Sequence, residues 1–76
     1  MRDPAPPLRV RITPPELREN LVEALVAGDC LCARLGDDTV LVVHRDAADR
    51  TEAKVELGFF LRAWVGLHTQ ARAEFV

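Results

Sequence analysis

The chain has 76 residues, 49 % hydrophobic and 29 % charged, with a formal net charge of −2 at pH 7. That length bounds one small domain, burying only about 60 % of the surface its unfolded chain exposes, and the mix of apolar residues with both charge signs excludes a disordered chain. A near-neutral total excludes general attraction to nucleic acid or anionic lipid, and no apolar run approaches the ~20 residues of a membrane span.

Residues 1–7, MRDPAPP, lack the apolar stretch of a secretory signal. They are expected to form a flexible N-terminal tail ahead of a single domain at 8–76. A cytoplasmic location and reduced cysteines are expected. Nine of the ten basic residues are Arg, with Lys54 the single Lys, a bias that fits a GC-rich bacterial genome better than a binding role.

Leu8-Arg9-Val10-Arg11-Ile12 alternates apolar and charged residues, the pattern of a half-buried strand. Thr13-Pro14-Pro15-Glu16 reads as a capping box, with Thr13 as N-cap and proline in the first turn. A helix over 14–27 follows, placing Leu17, Leu21, Ala24 and Leu25 on one face and Gly28 just past its end. Val22 and Val26 fall away from that line.

Cys30–Leu35 and Thr39–His44 flank Gly36-Asp37-Asp38, a strand pair closed by a tight turn. Asp49, with Glu52 three residues on, caps a second helix running to about His68. Its core stripe is Ala53, Leu57, Phe60, Leu61, Trp64 and Leu67. Ala71–Val76 is a last short strand, with Ala71, Ala73 and Phe75 on one face.

This βαββαβ order resembles the ferredoxin-like fold, an α+β two-layer sandwich. The resemblance implies an antiparallel sheet of order 4-1-3-2 with both helices on one face. It is one of topology, which many unrelated functions share. Heavy-metal-associated domains of this topology carry a C-x-x-C between strand one and helix one, where this chain has Thr13-Pro14-Pro15. No glycine-rich phosphate loop stands there either, as acylphosphatases or nucleotide-binding chains require. His44-Arg45-Asp46 matches a kinase tripeptide, but a kinase domain does not fit in this length.

Cys30, Cys32 and His44 are the residues closest to chemistry. An even-numbered hairpin loop puts the two cysteines on one sheet face with Arg34, Leu41 and Val43, and His44 on the other. A metal or redox role of Cys30 and Cys32 is therefore only a third reading, and no metal or cofactor is expected.

The same parity places Arg9, Arg11, Arg34, Arg45 and Arg72 on the open sheet face, with Glu74 the one acid among them. That face is a candidate anion-binding surface, though it offers no aromatic on which bases could stack. On helix two, Val55, Phe59 and Arg62 lie nearly opposite the core stripe, a candidate partner surface. No nucleophile stands beside a base. The expected function is a non-enzymatic cytoplasmic interaction domain, homodimeric through Val55 and Phe59 or docked on another protein. Anion or nucleic-acid binding through the sheet arginines is the alternative.

Overall fold

The computed structural model describes residues 6–76; most of the tail expected at 1–7 lies outside them. Strand β1 (Leu8–Thr13) leads through a single 3₁₀ turn at Pro15–Leu17 into helix α1 (Arg18–Ala27). Strands β2 (Cys30–Arg34) and β3 (Thr39–His44), helix α2 (Arg50–Leu67) and strand β4 (Arg72–Phe75) follow. The four strands form one antiparallel sheet of order β2-β3-β1-β4, which is 4-1-3-2 read from the other edge.

The alternation in β1 does what its period demands. Leu8, Val10 and Ile12 are buried while Arg9, Arg11 and Thr13 are exposed. Val10 stands between Val40 of β3 and Phe75 of β4, and Ile12 beside Ala73. Leu21, Val22 and Leu25 of α1 and Ala53, Leu57, Leu61 and Trp64 of α2 close over these residues in one core. Because β1 buries only its even-numbered side chains, both helices lie on that side. Each large aliphatic so buried contributes about 1.5–3 kcal/mol.

The helix starts differ from each other. Asp49 caps α2 as its spacing predicts: its Oδ1 accepts the Glu52 N–H at 2.8 Å, and Glu52 Oε2 accepts the Ala48 N–H at 3.2 Å. Thr13 does not cap α1. It stays in the sheet opposite Arg72, so Pro14 is the N-cap of the 3₁₀ turn and Leu17 that of α1, neither with a side-chain bond. The reversal after α1 falls at Asp29, with φ 65°, rather than at Gly28. A Cβ at Gly28 would stand 3.4 Å from the Phe60 ring, at the edge of ordinary van der Waals contact.

Two side chains depart from the expected helical faces. Val22 is buried, because α1 is covered on the flank facing β2 as well as on its central line. Leu67, the last residue of α2, is 83 % exposed. Trp64 is in the core at 4 % exposure, its Nε1 donating to Asn20 Oδ1 at 3.2 Å and its ring stacked on His68 at 4.4 Å. This indole ties α2 to α1. Trp64→Ala is expected to cost about 3–5 kcal/mol, a large share of so small a domain's stability. Urea unfolding followed by circular dichroism measures it, and a loss under about 1 kcal/mol contradicts the core placement.

Candidate functional site

The hairpin register decides where every candidate residue points. Cys30 stands opposite His44, Cys32 opposite Val42 and Arg34 opposite Val40. The loop therefore has three residues, Gly36, Asp37 and Asp38, between Leu35 and Thr39, whose N–H···O bond of 2.9 Å closes it. Parity is reversed from the even-loop expectation. Cys30, Cys32, Arg34 and His44 share the helix-facing side, while Leu31, Ala33, Leu41 and Val43 lie on the open face.

The loop does not take this shape from its own glycine. Ile12 donates its N–H to the Asp38 carbonyl at 2.7 Å, and Arg18 donates to the Gly36 carbonyl. Thr39 Oγ1 bonds Asp38 Oδ1 at 2.9 Å. Neighbouring elements hold the turn, a contribution that local turn preferences leave out.

Bringing the thiols and His44 to one side does not assemble a metal site. Among the described residues no group of three or more His, Cys, Asp or Glu side chains is placed to hold an ion. Cys30 is buried, and burial pushes its thiol up, with Asp29 and Asp46 adding to the effect. Burial likewise pushes Cys32 up to about 11, reinforced by Cys30 and opposed by Arg34. A thiol held protonated is a poor nucleophile and a poor ligand.

Arg34 leaves the open face for an ion pair. Its Nε lies 2.6 Å from Glu19 Oε1 and its Nη2 2.7 Å from Oε2, a bidentate bridge from β2 to α1. Arg18 Nη2 joins at 3.4 Å. The hydrogen bonds from Arg34 hold the Glu19 carboxyl below its usual range. Of the five arginines expected on the open face, Arg9, Arg11 and Arg72 belong to it, and Arg45 sits in the turn after β3. Glu74 is the cross-strand partner of Arg11, and Asp38 Oδ2 lies 4.0 Å from Arg11 Nε. Acids thus offset part of the positive charge, and aliphatics occupy the β2 half of the face.

Outside the core stripe of α2, Phe59 is 65 % exposed and Val55 is 53 % exposed. Lys54 and Arg62 flank them around a shallow depression at Gly58. Lys54 Nζ stands 5.6 Å over the Phe75 ring, covering that aromatic from the α2 side. Among the described residues no cation stands over Phe59 in this way. Among the described residues no helix is long and apolar enough to cross a membrane.

Comparison with protein-family models finds none that matches the chain, and comparison with curated proteins and with solved structures finds no significant match in either.

Two outcomes follow from this geometry. Glu19, with its carboxyl lowered in the folded state, contributes stability above its ordinary value of 4.5 that is lost as pH falls through the lowered value. Denaturant unfolding across that acid range should show the wild type losing more stability than Glu19→Gln; equal losses remove Glu19 from the effect. At neutral pH the native thiols should label slowly with a maleimide and rapidly once unfolded. Fast labelling of native Cys32 contradicts its protonated state.

Proposed function

We propose that this chain is a small, non-enzymatic, cytoplasmic protein-interaction domain with a ferredoxin-like arrangement, acting through the outer face of α2. The element order and sheet order support the topology, which by itself carries no function. The observation that carries the function is Phe59 with Val55, exposed one helical turn apart on a face the sheet does not use. Burying that ring against a partner contributes ~2 kcal/mol. The thiols, held protonated, support no catalytic role.

The flanking charges favour another protein over a second copy at this face. Packing α2 antiparallel on its own copy about Phe59 gathers the two Glu56 side chains on one flank and the two Arg62 side chains on the other, since each flank meets its own kind. The complementary partner carries an apolar centre, a base toward Glu56 and an acid toward Arg62.

A photo-crosslinking amino acid placed at position 59, and separately at position 9, tests the reading in living cells. A discrete protein adduct at 59, lost when Val55→Glu is added, is the expected result. Nucleic-acid adducts at position 9 with none at 59 favour the sheet arginines instead, and an adduct of twice the chain's mass at 59 makes the partner a second copy.

A further inference from the structure

We propose that β2 is the edge through which two copies of this chain pair, antiparallel and centred on Cys32, into one continuous sheet. The inference goes beyond the α2 reading and uses none of its residues.

The ladder shows which backbone groups of β2 have no sheet partner among the described residues. The Ile12–Asp38 and Leu35–Thr39 bonds set the alternation across β3, whose even-numbered residues bond β1 and odd-numbered residues bond β2. In β2 the partners are then Leu31, Ala33 and Leu35. The N–H and C=O groups of Cys30, Cys32 and Arg34 point outward from the sheet, since β2 is an edge. A strand is what such a row of donors and acceptors binds.

Edges are ordinarily guarded by charge, proline or a bulge. β2 has neither proline nor lysine, and its one charge, Arg34, is drawn back onto Glu19 of α1. Self-pairing centred on Cys32 sets Cys32 against Cys32 and Cys30 against Arg34, so outward groups meet outward groups throughout and no like charges face each other. On the open side, Leu31 of each copy meets Ala33 of the other.

An exposed side chain on α1 fits the same contact. Glu19 and Val26 are seven residues apart, within about 20° on the helix, and Glu19 reaches β2. Val26, 56 % exposed, therefore stands on the flank of α1 that overlooks the β2 edge, where the second copy's α1 arrives. Pairing covers it.

Proline at position 32 separates the edge from the fold, because the Cys32 N–H points outward and proline is tolerated where an edge N–H faces solvent. Sedimentation equilibrium of the full chain should show a dimer for the wild type and for Phe59→Glu, and a folded monomer for Cys32→Pro. Hydrogen exchange gives the second readout. The Cys32 amide should slow by on the order of a hundredfold when free protomer is about a hundred times the dissociation constant. A folded Cys32→Pro dimer overturns the proposal, as does a wild type that stays monomeric to high micromolar concentration. If Cys32→Pro does not fold, a wild-type Cys32 amide that exchanges fast at every concentration overturns it, and one protected with rising concentration upholds it.

Discussion

The three-residue loop between β2 and β3 sorts the side chains of β2, and much of the rest of the surface depends on it. A slip of one residue would exchange the two faces of that strand. Leu31 and Ala33 would enter the helix-facing side, and Cys32 and Arg34 would point into the open. The loop is held in its register by β1, through the Ile12 N–H on the Asp38 carbonyl, and by Arg18 on the Gly36 carbonyl. Both bonds come from elements far from the turn in sequence.

Several properties follow from that choice. Cys30 becomes a core residue, Arg34 reaches the helix, and the open face loses an arginine while gaining Leu31. The same ion pair that ties β2 to α1 also withdraws the one charge that could guard the β2 edge. Its net contribution as an exposed pair is small. Its positional effect is larger, because it orients α1 over β2 and leaves the edge backbone uncovered.

The two proposed contact surfaces draw on separate elements. The outer face of α2 carries an aromatic and an aliphatic beside charges of both signs, while the β2 edge offers backbone groups and small apolar side chains. A domain of this size has little buried area to spare, and binding that favours the folded form adds to its stability by mass action. Association through either proposed surface is therefore expected to add to the stability of the fold.

Local pattern determined the elements themselves. The period-two alternation of β1 reads as a half-buried strand and is one, the Asp49/Glu52 spacing reads as a helix start and is one, and the exposure of Val55 and Phe59 follows from their angle to Leu57 and Leu61 on the same helix. These readings need no information beyond a few neighbouring residues. The placement of Thr13, Val22, Arg34 and the two cysteines needed the tertiary structure. Thr13 is taken by its ladder partner Arg72, and Val22 is buried by the strand beneath α1. Arg34 is claimed by Glu19, fifteen residues before it. Above all, loop parity is a difference of one residue in a turn whose own sequence allows either count, and bonds from β1 and α1 decided it.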